Sequence, residues 1–151
     1  MSIKKIISGG QTGVDRAALD AASANRIPHG GWCPKDRQAE DGRIDSRYHL
    51  QETHSGDYPV RTARNVRDAD GTLIINIGDV EGGTALTLQT ARTSRKPCLV
   101  VDIEQGFDER LIWHWITEHG IEILNVAGPR ESKHPGIYQE AFKLLNSLLK
   151  K

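Results

Sequence analysis

Aromatic side chains are scarce in this sequence, at 5 % of the chain, and cysteine is scarcer, with Cys33 and Cys98 alone. Two distant thiols make neither a disulfide framework nor the paired-cysteine spacing of a zinc site. The histidines, at 29, 49, 54, 114, 119 and 134, also miss the H-E-x-x-H spacing, so no protein-built metal site is expected. Net charge is absent too: 20 basic residues balance 20 acidic ones. No global field draws such a chain to nucleic acid or to an anionic membrane, and any anion site must be local. No apolar run approaches the roughly 18 residues of a membrane span. The opening MSIKKIIS lacks the charged, apolar and cleavage regions of a signal peptide. These absences predict a cytoplasmic protein with free thiols and without nucleic-acid or membrane partners.

What the chain does have is glycine, 15 residues of it in clusters, and a length of 151 residues, enough for one domain spanning 1–151 with a real core. Short β-branched or aliphatic runs at 3–8, 72–77, 98–102 and 122–126 read as buried parallel strands, with a fifth, short strand around 28–33. Helical patterns cover 14–25, about 59–68, 84–94, 107–119 and 135–149. Alternating strand and helix predicts an α/β three-layer sandwich, a mostly parallel sheet of about five strands flanked by helices. In the last helix Ile137, Ala141, Leu144, Leu145 and Leu148 form one stripe. Phe107, Leu111 and Trp115, with Ile112 and Ile116 beside them, read as core. The first helix offers Val14, Ala17, Ala18, Ala21 and Ala22, small enough to lie close over the sheet. Residues from about 34 to 58 break the rhythm, and an excursion of that length in a compact domain points to function.

The glycine clusters carry the chemistry. SGGQTGVD, residues 8–15, follows the first strand and enters a helix. Gly9, Gly10, Gln11, Thr12 and Gly13 have the makings of a phosphate cradle, because glycine lets backbone approach an anion and the helix start presents unpaired N–H groups. The spacing excludes the dinucleotide fingerprint and, with no Gly-Lys-Ser/Thr, the Walker A loop. Thr12 and Asp15 fit a capping box; alternatively Asp15 grips a sugar hydroxyl, and Arg16 pairs an oxyanion. A second cluster follows another strand: Asn76, Gly78, Glu81, Gly82, Gly83 and Thr84, with Thr84 as a natural N-cap. In a parallel sheet both turns lie at the carboxyl edge, where ligands bind. Asn125, Gly128, Arg130, Glu131 and Ser132 close the last strand at that same edge, with Arg130 suited to fork onto an oxyanion. Trp32 and Lys35 in GGWCPK offer a stacking ring and a cation, and Cys33 has no base at a spacing that would activate it.

The stretches SGGQTGVDRAALDAA, GGWCPKDRQAEDGRID, RTARNVRDADGTLII, GGT, KP, LNVAGPRES and PGIY together resemble the molybdenum carrier family over nearly the whole chain. The resemblance implies a Rossmann-like fold within the wider lysine-decarboxylase-like group, which includes molybdenum-cofactor carriers, cytokinin-activating phosphoribohydrolases and sensors of nucleotide-derived ligands. It implies a small anionic ligand, molybdenum cofactor or molybdate, and leaves open whether Mg²⁺ bridges it. Molybdoenzymes or cofactor-biosynthesis proteins would be the partners. A homo-oligomer is also implied, with Trp113 as an interface residue. In the phosphoribohydrolase pattern P-G-G-x-G-T-x-x-E the final glutamate assists cleavage of an N-glycosidic bond. Aligned on Gly83 and Thr84, that position here is Thr87, neither acid nor base at neutral pH. The expectation is therefore a binding protein. The alternatives are a nucleotide-derived ligand sensor or a nucleotide-processing enzyme working through Asp15, Arg16 and Glu81, with Glu40 or Asp41 as substitutes for the missing glutamate.

Overall fold

The computed structural model describes residues 3–150. Strand β1 (Lys5–Ile7) leads through the first glycine loop into α1 (Val14–Ala24), and β2 (His29–Gly30) returns parallel beside it. Then come the short strands β3 (Trp32–Cys33), β4 (Gln38–Ala39), β5 (Gly42–Arg43) and β6 (Gln51–Glu52), followed by α2 (Tyr58–Asp68). The second half repeats strand and helix: β7 (Gly71–Asn76), α3 (Gly82–Thr93), β8 (Cys98–Asp102), α4 (Glu109–Glu118), β9 (Ile123–Ala127) and α5 (Ile137–Leu149).

The main sheet is parallel throughout, in the order β2-β1-β9-β7-β8. Counted from β9, that order reads 3-2-1-4-5, the doubly wound order of the dinucleotide-binding fold. The chain thus enters the fold at its second strand, and the last strand and helix fill the place of the first. In this arrangement the strand order, not the strand direction, reverses between β9 and β7, so their carboxyl ends open the crevice where such folds bind ligands.

The two faces of the sheet differ in chemistry. Helices α1 and α5 pack on each other, and the Trp113 indole of α4 donates to the Leu148 carbonyl at 3.2 Å, so these three share a face. That face holds the apolar core, in which Ile6, Leu73, Ile75, Leu124 and Val126 of the strands meet Val14, Ala17, Ala18, Ala21, Ile112, Ile116 and the stripe Ile137, Ala141, Leu144, Leu145, Leu148. Right-handed crossovers put α2 and α3 on the other face. There the buried groups include Thr62, Asn65, Thr72, Asn76, Thr84, Thr87 and Asn125. Polar groups at such depth are tolerated only when bonded or set against a ligand or water, so this face is the candidate for function.

Three expectations are corrected in detail. The first helix begins after Gly13 at φ 78°, not in a Thr12–Asp15 capping box; Gly13 is the N-cap and no side chain caps it. Thr84 is the third residue of α3, whose N-cap is Glu81, again without a side-chain bond. Phe107 and Leu111 are 46 % and 66 % exposed. Because α4 starts only at Glu109, Phe107 is outside the helical register, and Ile112 with Ile116 carries the buried stripe.

The excursion is ordered by one side chain. Arg37 is buried and donates to the carbonyls of Ile44 at 3.0 Å, Asp45 at 2.6 Å, Tyr48 at 2.9 Å and Leu50 at 3.3 Å. Around it Leu19, Cys33, Ile44 and Tyr48 form a small second core.

Candidate functional site

A cleft opens at the carboxyl edge, between the ends of β9 and β7. Its walls come from the first glycine loop (Gly9, Gln11), the first turn of α1 (Asp15), α2 (Tyr58, Arg61, Thr62, Asn65), the start of α3 (Glu81 to Thr84, Thr87) and the end of β9 with its loop (Asn125 to Arg130, Lys133).

Arg61 is the centre of the floor. Its Nη1 lies 3.2 Å from Asp15 Oδ2, with both side chains largely buried, and its guanidinium stacks 5.1 Å from the Tyr58 ring centroid. Its Nε is buried without a hydrogen-bond partner. Gly9 makes room for it: a β-carbon there would stand 1.5 Å from Arg61 Nη1. Asp15 also accepts from the Gln11 amide at 3.3 Å, and the Ser8 hydroxyl holds the Asp15 carbonyl at 2.8 Å. Burial pushes the Asp15 carboxyl above its ordinary range, against the lowering pull of Arg61 and Gln11. Burial thus opposes the charge on Asp15, and Arg61 offsets part of that cost.

The opposite wall is the start of α3. With no side-chain cap, the first amides of Gly82, Gly83 and Thr84 carry the positive end of the helix dipole toward the cleft. Gly82 has φ +53°, which accounts for its glycine, whereas a β-carbon on Gly83 would meet nothing within 4 Å. Lys133 Nζ stands 3.7 Å from Glu81 Oε2 at the rim, and Arg130 faces the same space. Thr87, buried, donates its hydroxyl to the Gly83 carbonyl at 3.1 Å.

The expected ligand residues divide. Gly9, Gln11, Asp15, Glu81, Gly82, Gly83, Thr84 and Arg130 meet at the cleft. Gly10 and Gly13 are turned to the protein itself: a β-carbon would meet Leu50 Cδ1 at 2.6 Å in the one and the Pro129 carbonyl at 2.3 Å in the other. Arg16 lies across the Gly10 carbonyl at 3.0 and 3.2 Å and forks onto Asp41. Thr12 and Ser132 bond the Glu40 carboxylate. Glu131 caps α5, accepting from the amides of Gly136 at 2.7 Å and Tyr138 at 2.9 Å. Asn76 is buried under its own turn and donates to the Gly78 carbonyl at 3.0 Å. The Trp32 indole bonds Asp68 at 2.8 Å in a separate groove, and Lys35 is exposed in a 3-10 turn. Cys33 is fully buried, with its thiol pushed up by desolvation, and burial pushes Cys98 to about 11.

Sequence reasoning passed over Arg61, Tyr58, Thr62, Asn65 and Lys133, whereas Asn125, read at the carboxyl edge, does line the cleft. A signal existed in RTARN, residues 61–65: a helix beside a sheet with Arg61, Thr62 and Asn65 on its inward side has given up an apolar stripe.

Residues 6–149 match the model of the circularly permutated YpsA SLOG family. The chain belongs to that family. The permutation its name describes agrees with the strand order, which begins on the second strand of the doubly wound sheet. Among solved structures, the crystal structure of "Putative molybdenum carrier protein" from Syntrophus aciditrophicus SB matches with 52 % identity and a TM-score of 0.95, covering 98 % of this chain and 96 % of that one. No curated protein matches. The family and the solved structure support the Rossmann-like α/β fold.

Proposed function

We propose that the protein is a carrier that holds a small anionic ligand in the cleft, with molybdenum cofactor or molybdate as its cargo. The observation that carries this reading is the pairing of the uncapped α3 start with Arg61, whose Nε is buried and free, across a cleft rimmed by Arg130 and Lys133. Backbone N–H groups, guanidinium and ammonium are the donors an oxyanion or a phosphate takes. The name of the similar solved structure supports molybdenum as the cargo's chemistry. Among the described residues no group of three His, Cys, Asp or Glu gathers to hold a metal ion, so Mg²⁺ would enter as the counter-ion of a ligand phosphate. Trp32 lies outside the cleft, which leaves Tyr58 as the ring beside an organic portion.

The cleft offers little to a bond-breaking reaction. Asp15 is engaged by Arg61, Thr87 stands where a glutamate would be needed, and Glu81 is mostly exposed beside Lys133. Delivery of the cargo to molybdoenzymes or cofactor-assembly proteins, and self-association through the exposed Val100, Phe107 and Leu111, belong to the same proposal.

Calorimetry with molybdate, molybdenum cofactor and purine nucleotides, beside a base-release assay on nucleoside monophosphates, tests it. Saturable binding without released base is expected. Turnover that Glu81→Gln or Asp15→Asn abolishes would replace the carrier with an N-glycosidic hydrolase, and failure of every anion to bind would remove it.

A further inference from the structure

The hairpin of β4 and β5 brings its own anion beside the cleft, onto Arg130 and Gln11 of its lining. The Glu40 carboxylate accepts from the Thr12 hydroxyl, from the Ser132 amide at 3.1 Å and from the Ser132 hydroxyl at 2.5 Å. The Thr12 hydroxyl and the Ser132 amide share Oε2, and Arg130 Nε lies 3.3 Å from Oε1, the oxygen that the Ser132 hydroxyl bonds. These donors come from two loops, after β1 and after β9, and Arg130 also lines the cleft. Two hydroxyls, an amide and a guanidinium around two oxygens make the donor set that a phosphate or oxyanion would take. The Glu40 amide donates to Gln11 Oε1 at 2.8 Å, so a second cleft residue is tied to the same tip. Desolvation raises the Glu40 carboxyl, but Ser132, Thr12 and Arg130 outweigh it and hold it below the usual carboxylate range.

The tip is held mainly by polar contacts, with the Ala39 methyl as the one apolar group of the hairpin packed on the second core. Asp41 takes the Arg16 guanidinium at 2.9 and 3.2 Å, while Gln38, Glu40, Asp41, Gly42 and Arg43 are exposed. Beyond Gly42 there is open space, and the fully buried apolar anchor on that side is Ile44 at the hairpin's base. A segment with charged contacts at its tip and little apolar packing beyond Ala39 and its base opens locally at small free energy.

We propose that Glu40 is a built-in competitor for the ligand's anionic group. It occupies the Thr12, Arg130 and Ser132 donors, and a phosphate or oxyanion that claims them displaces it and frees the hairpin 38–43. The proposal rests on the anion-binding reading of the cleft. An internal carboxylate lowers the apparent affinity by the fraction of molecules in which it is seated, and it makes ligand arrival legible at the protein surface.

The test titrates the full chain, at constant ionic strength, with inorganic pyrophosphate and with molybdate, in the wild type, Glu40→Gln and Asp41→Asn. Asp41→Asn loosens the tip without touching the four donors, so it covers disturbance of the loops by the first variant. Both variants should bind the probes more tightly, by about tenfold for Glu40→Gln. Amide exchange across 38–43 in the wild type should quicken when a probe is bound. Binding by both variants no tighter than the wild type's, or hairpin exchange unmoved by a bound probe, overturns the competitor and leaves the anion cleft standing. No binding of either probe by any form overturns both.

Discussion

The guanidinium of Arg61 lies over the Cα of Gly9, so close that a β-carbon there would stand 1.5 Å from Nη1. The loop after the first strand and the second helix therefore meet through a residue chosen for having no side chain. Gly9 is not among the positive-φ glycines, so the obstacle to alanine is the Arg61–Asp15 pair: a β-carbon would also stand 3.0 Å from Asp15 Oδ2. Gly9→Ala must push Arg61 off Asp15. A loss of about 2 kcal/mol in urea unfolding, with anion affinity weakened at least as much by calorimetry, is expected. Unchanged affinity would place the ligand away from Arg61.

Arg61→Ala leaves Asp15 buried without its cation. Removal of one partner of a buried pair costs about 3 kcal/mol at neutral pH. Burial already raises the Asp15 carboxyl, and loss of Arg61 raises it further. A raised folded-state pKa means that the folded chain holds the proton more tightly than the unfolded one. Stability of the variant therefore falls as pH rises through the window above the ordinary carboxylate value, and its deficit against the wild type shrinks on acidification. Urea melts from pH 4 to pH 8 check the sign. A deficit independent of pH would mean that Asp15 keeps another partner.

Gly83→Ala separates binding from stability. No protein atom lies within 4 Å of the added methyl, and helical alanine replaces helical glycine. Stability should hold or rise by about 0.5 kcal/mol. Anion binding should fall, because the methyl enters the space above the first α3 amides. Equal binding would move the ligand away from that helix start.

Leu111, 66 % exposed, and Phe107, 46 % exposed, contribute little to the core. Leu111→Lys should leave the melting temperature within a degree or two, the scale of surface substitutions. If copies associate through this face, sedimentation will show the variant dissociated where the wild type is not.

Much of the fold was legible because its signals are local. The β-branched runs sit on β7, β8 and β9, and the stripe Ile137, Ala141, Leu144, Leu145, Leu148 is buried residue for residue. Glycine pairs marked the turns at the sheet's carboxyl edge, and Gly82, Gly83 and Thr84 do line the cleft. Phe107 misled because a spacing of four is helical only if both residues are in the helix, and α4 begins two residues later.

The sequence alone determined the alternation of strand and helix, the carboxyl-edge placement of the glycine turns and the local nature of any anion site, because periodicity, turn chemistry and charge balance are properties of neighbours along the chain. Tertiary structure decided which of those turns lines the cleft. Gly10 and Gly13 are filled from outside by Leu50 and Pro129, Arg16 is drawn off by Asp41, and the cation that replaces it arrives from Arg61. Each of these is a contact between residues at least 25 positions apart, set by a sheet in which the last strand lies between the first and the seventh. No spacing along the chain encodes that.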